Sequence, residues 1–200
     1  MAADNPKNPD KPDLQIIPFS SPAEWEQWLE QNHADSKGIW LQMFKKGSGM
    51  ASVNYAEALD VALCYGWIDG QLKSIDELSY MQRFTPRRPK SLWSKRNIGH
   101  IARLTKVGRM KPAGVKQVEA AKADGRWDQA YDSPVNITLA DDFLAELLKN
   151  KKALAFYESL NKANKYAIAW RIQTAKRPET KAKRMKEILE MLGREEKFHV

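Results

Sequence analysis

The chain has 200 residues, 42% of them apolar, with a formal charge of +8. That is enough apolar material for one domain, or for a domain with a small appendage. No apolar run approaches the ~20 residues of a membrane span, so no transmembrane helix is expected. The positive charge is concentrated, since residues 73–126 carry fourteen Lys and Arg against four acids. Such a balance favours anionic partners: nucleic acid, phosphate ligands or an acidic surface. The single cysteine, Cys64, allows no internal disulfide and suits a reducing compartment. It lies in an apolar helix with no neighbouring histidine and reads as a buried, inert thiol.

Residues 1–13 are Pro, Asp, Asn and Lys with little to bury, and a disordered tail is expected there. They hold no apolar core for export, so a cytoplasmic location is expected. Leu14–Phe19 reads as an edge strand, because Pro18 cannot serve a central one. Ser21-Pro22-Ala23-Glu24 is a helix start with a capping box, and Trp25, Trp28 and Leu29 face inward from it. Gly38–Lys46 reads as a well-buried strand. It runs into Gly47-Ser48-Gly49, a flexible connection without the full phosphate-loop pattern. Asn54-Tyr55-Ala56-Glu57 is a second capping box, and Gly66 closes the helix it opens.

Asp69-Gly70 carries a hairpin signal, and Tyr80–Thr85 reads as a strand. In it Tyr80, Gln82 and Phe84 face one way, and Met81, Arg83 and Thr85 the other. Ser91 or Ser94 caps a helix to about Val107, with Ile98, Ile101, Ala102 and Leu104 inward. Pro112 opens another, packed through Val115, Val118 and Ala121. Residues 132–140 contain Ser-Pro and few charges, and a boundary is placed there. After it come four short-linked helices with Phe143, Leu147, Phe156, Leu160, Ile168, Trp170, Ile172, Ile188 and Leu192 as core. The expected organisation is a tail at 1–13, an α+β domain with a small antiparallel sheet at 14–133, and a helical bundle at 134–200.

Several stretches carry a family likeness: Ala23-Glu24-Trp25, Tyr55-Ala56-Glu57-Ala58-Leu59, Gly66-Trp67-Ile68-Asp69-Gly70, Phe84-Thr85-Pro86-Arg87-Arg88-Pro89, Trp93-Ser94-Lys95, Gly125-Arg126-Trp127 and Ala175–Arg184. Over roughly residues 19–195 the chain resembles the bacterial YdeI/OmpD-associated family, the bacteriocin-protection proteins. The resemblance implies an α+β unit followed by a helical module. It brings no catalytic residue and no cofactor with it, and the family's names come from protection and association phenotypes.

The residues themselves point to an anion site. Pro86 and Pro89 hold Arg87 and Arg88 on a stiff extended segment. Arg83, Arg87, Arg88 and Lys95, with Trp67, Trp93 and Asp69, form a candidate cleft. Guanidinium forks suit carboxylate or phosphate and stack on aromatic rings. An anionic small molecule or an acidic protein partner is the expected ligand. A second reading is non-specific nucleic-acid binding through basic helix stripes that include Arg96, Arg103, Lys181 and Arg184. A third is an enzyme acting on a phosphorylated or acidic small molecule. Against it, His33, His100 and His199 are scattered, no Cys/His cluster has metal spacing, and no nucleophile elbow appears. No metal or cofactor is expected, and the sequence does not set the oligomeric state.

Overall fold

The computed structural model describes residues 14–199, and the tail expected at 1–13 lies outside the described residues. The chain divides into two units. The first runs to Ser91 and resumes over Asn97–Asp128; the second comprises Leu92–Arg96 and the chain from Gln129 onward.

In the first unit, strands β1 (Ile16–Pro18), β2 (Ile39–Phe44), β3 (Trp67–Ser74) and β4 (Ser79–Pro86) form a sheet in the order β1-β2-β4-β3. β1 pairs parallel to β2, and the other pairings are antiparallel. Pro18 sits on the edge strand, where its missing N–H breaks no ladder bond. Helices α1 (Pro22–Asn32) and α2 (Tyr55–Cys64) follow β1 and β2 in the chain. The fold is α+β, with helices throughout the C-terminal half.

The period-two alternation of the strands decides which side chains enter the core. Ile39, Leu41 and Met43 of β2 are buried, while Trp40, Gln42 and Phe44 between them are only half-buried. β2 is therefore covered on one side, not on both as its apolar sequence suggests. Phe84 of β4 pairs with Ile39 on the buried side, and Arg83 pairs with Trp40 on the other. The buried side holds an aromatic cluster of Phe19, Trp25, Trp28, Trp67 and Phe84.

Local signals explain the helix ends. Ser21 Oγ accepts from the Glu24 amide, but the Glu24 carboxylate returns to the amide and hydroxyl of Ser20, so the expected box closes one residue early. At Asn54 and Glu57 both halves of the box are present.

The Asp69-Gly70 hairpin is a correction. These residues lie inside β3 at a register shift, and the chain turns at 75–78. There Asp76 Oδ1 accepts from the amides of Leu78 and Ser79 and from the Ser79 hydroxyl. That carboxylate supplies the local closure that favours a turn. The Gln82 amide donates to the carbonyls of Gly70 and Gln71, which satisfies backbone that the bulge takes out of the ladder.

Helix α3 covers Lys95–Lys106 and α4 covers Pro112–Ala123. In α3, Asn97, Ile101 and Leu104 are buried; Ile98 is half-buried and Ala102 is exposed. In α4, Gly114 takes the inward place expected for Val115, which is exposed.

The second unit contains α5 (Asp141–Lys149), α6 (Lys151–Ser159), α7 (Lys162–Gln173) and α8 (Pro178–Gly193). Asn150 and Asn161 cap α6 and α7 through their side-chain oxygens. The core is Phe143, Leu147, Ala153, Leu160, Ile168, Ile172, Ile188 and Leu192. Phe156 is half-buried against it, and Trp170 instead meets the Tyr131 ring edge-on. No helix among the described residues is long and apolar enough to cross a membrane.

Candidate functional site

Within the first unit, Trp67 and Arg83 lie on opposite sides of the sheet. Trp67 is 1% exposed; its ring lies in the aromatic core and its Nε1 donates to the His33 carbonyl. It is not a wall of an open recess. Trp93 is 2% exposed and belongs, with Lys95, to the second unit. There Lys95 pairs with Asp132 at 2.8 Å. Asp69 accepts from the Tyr55 hydroxyl at 2.8 Å.

Arg87 is 5% exposed. Its amide donates to the Gly66 carbonyl and its Nη1 to Ser91 Oγ. The neighbouring prolines do hold this segment extended, but they direct Arg87 inward. Arg88 is exposed.

Arg83 is different. It lies on the half-exposed side of the sheet, cross-strand from Trp40. Its Nε is buried and has no hydrogen-bond partner among the described residues. Gly70 lies opposite on β3, and a Cβ there would come within 3.7 Å of the Arg83 stem. The Arg83 stem thus lies against the bulge at ordinary van der Waals distance. Lys73 joins this side, with Nζ 4.6 Å from the Trp40 ring centroid. The strand positions paired on this side also include Ile16, Pro18, Gln42, Phe44, Ile68, Ser79, Met81 and Thr85. None of them is acidic. The face therefore combines two cations, two aromatic rings and no carboxylate among the strand positions that form it.

Neither Trp40 nor Lys73 was singled out from the sequence. The signal was present in the period-two alternation of β2, which places Trp40 and Phe44 together opposite the buried Ile39, Leu41 and Met43.

The basic stripes on the helices are largely engaged. Arg103 Nη2 meets both carboxylate oxygens of Asp60 at 2.6 Å, and His100 Nδ1 lies 2.8 Å from the same group. Lys181 pairs with Asp142, and Arg184 Nη1 donates to the Arg171 carbonyl. Arg96 lines, with Lys95, Ser133, Pro134, Val135 and Asn136, an open groove of about 590 Å³ in the second unit.

Asp60 gives a pH prediction. Burial alone would raise its carboxyl, but the hydrogen bonds and positive charge of Arg103 and His100 outweigh this and leave it below its ordinary range. A depressed carboxyl stabilises the fold above its unfolded value of about 3.9 and loses that contribution as pH falls through the folded value. Asp60→Asn should therefore melt below the parent at neutral pH, and the gap should close as pH drops beneath about 4. Thermal denaturation across a pH series checks this; a gap that widens on acidification contradicts the pairing.

Two family models match the chain. Residues 17–117 match a domain of unknown function, DUF8412. Residues 136–195 match the model described as Bacteriocin-protection, YdeI or OmpD-Associated. The resemblance read from the sequence holds over this second stretch, which contains Ala175–Arg184; the N-terminal motifs quoted for it fall mostly within the first. Searches of curated proteins and of solved structures found no match.

Proposed function

The chain belongs to the DUF8412 family, and from that premise we propose that it is a cytoplasmic, non-catalytic binding protein of the bacteriocin-protection type. It takes an anionic ligand on the half-exposed side of its sheet, with Arg83 as the central cation. The carrying observation is the Arg83 Nε, buried and without a hydrogen-bond partner among the described residues. Leaving a donor in that state costs about 1–3 kcal/mol, and the half-buried side chain relieves that cost by turning its guanidinium outward to an oxyanion. Lys73 adds a second positive charge close by, and Arg88 is a further cation, exposed, in the same unit. The YdeI/OmpD-associated match over 136–195 supports the protective role. The buried free thiol of Cys64, raised to about 11 chiefly by burial, suits a reducing compartment.

Tripolyphosphate is a suitable probe for the site. It should raise the melting temperature of the parent and leave that of Arg83→Gln nearly unchanged. Equal shifts in both proteins would remove Arg83 from the site, and no shift in either would end the anion-binding reading.

A further inference from the structure

The half-exposed side of the sheet carries more than charge. Trp40 and Phe44 stand on the same side of β2, four residues and roughly 13 Å apart along the strand. Arg83 is the cross-strand partner of Trp40, and Lys73 lies over its ring. Lys45 and Lys46 follow Phe44 directly. Lys45 Nζ reaches the carbonyls of Asp76 and Glu77, while Lys46 is exposed. Cations thus border both rings; the strand positions between them hold no acid, and the Asp76 carboxylate beside Phe44 is taken up by the turn through Leu78 and Ser79.

We propose that this side of the sheet is a platform for single-stranded nucleic acid, in which Trp40 and Phe44 receive bases while Arg83, Lys73 and Lys46 meet phosphates. The inference rests on the anion-binding reading above and names the class of anion. Separated rings in a basic field suit a ligand that alternates flat apolar groups with negative charge. A single strand has that alternation; its bases stack on aromatic side chains without regard to sequence, and its backbone follows the cations. A duplex keeps its base faces occupied and offers the rings nothing. An acidic peptide would satisfy the cations but leave Trp40 and Phe44 without a stacking partner. The ammonium over Trp40 is no obstacle, because a cation on an accessible ring is held more weakly than a stacked base. Displaced by a base, Lys73 becomes free for a phosphate.

The experiment is fluorescence anisotropy of a short fluorescein-labelled oligothymidylate over a range of salt concentrations. It uses the full chain and three variants, each checked for folding by circular dichroism. Binding should weaken linearly in log[salt]. Trp40→Leu, which keeps apolar bulk, should weaken binding about tenfold with the salt slope unchanged. Arg83→Gln should reduce the slope by about 0.7, the loss of one single-strand phosphate contact. Phe44→Leu should weaken binding like Trp40→Leu, and it serves as the stacking test if Trp40→Leu fails to fold.

The inference is overturned if both ring variants bind like the parent, or if poly-glutamate displaces the oligonucleotide as well as an unlabelled oligothymidylate does. Tripolyphosphate separates the two levels. If it binds through Arg83 while the oligonucleotide binds no better, the nucleic-acid assignment fails and the anion site stands. If neither probe binds, both fail.

Discussion

Replacing Trp25 by Ala should unfold the first unit or bring it close to unfolding. Trp25 is 0% exposed. Its ring lies 5.5 Å from Trp28 in a near-parallel stack, 5.3 Å from Phe19, 5.7 Å from Phe84 and 6.2 Å from Trp67. One side chain therefore joins α1, the end of β1, β3 and β4. Its Nε1 also donates to the Ala58 carbonyl of α2 at 3.0 Å, tying the two helices together. Truncating so large a buried aromatic costs about 3–5 kcal/mol, a large part of the ~5–15 kcal/mol that holds a domain together. Trp25→Phe separates the contributions. It keeps most of the ring packing and loses the bond to Ala58, so about 1–2 kcal/mol is expected. Urea unfolding followed by circular dichroism gives both values. An Ala variant with the parent's midpoint would mean that this cluster is not the keystone of the unit.

The same cluster shows where sequence and structure part. Helix starts were legible because capping is local: Ser21 and Asn54 need only the amide three residues on, and both find it. The faces of β4 were legible too, because alternation along a strand is a local rule. The cleft was not. Trp67 and Arg83 lie near each other in a basic, aromatic stretch, and proximity in sequence was read as proximity in space. β3 and β4 are adjacent antiparallel strands, but Trp67 points to the side of Phe84 and Arg83 to the side of Trp40. The sheet itself stands between them.

Asp69-Gly70 failed for a related reason. The pair favours a hairpin when the flanking strands leave it free, but the Tyr55 hydroxyl of α2 takes the Asp69 carboxylate and Gln82 fills the bulge. Partners distant in sequence overrode a two-residue preference. Arg87 shows the limit of a correct local reading. Extended backbone was expected, but backbone direction does not say whether a side chain turns in or out, and here the Ser91 hydroxyl receives one of its donors.

Two glycines in helices should respond to the same substitution with opposite signs. Gly114 lies in the first turns of α4, against the C-terminal end of α2. The Lys111 amide, at the start of α4, donates to the Cys64 carbonyl at 3.1 Å. One helix thus ends on the amides that open the other, and each supplies groups that the other leaves unpaired. A Cβ on Gly114 would fall 2.2 Å from the Cys64 oxygen and 2.8 Å from the Leu63 oxygen. These are backbone atoms of a buried helix, so no rotamer change relieves the overlap. The helices must separate, and the bond from Lys111 to Cys64 lengthens with them. Gly114→Ala is expected to cost about 3 kcal/mol despite its gain in helix propensity. Gly99 lies in α3 with nothing within 4 Å of its Cβ position. There only propensity acts, and Gly99→Ala should stabilise by up to about 1 kcal/mol. Denaturant midpoints of the two variants measured side by side test the packing of α4 on α2 directly. Because the intrinsic propensity gain is similar at both sites, the difference between them isolates the close approach of the two helices, and equal midpoints would mean that these helices do not meet at Cys64.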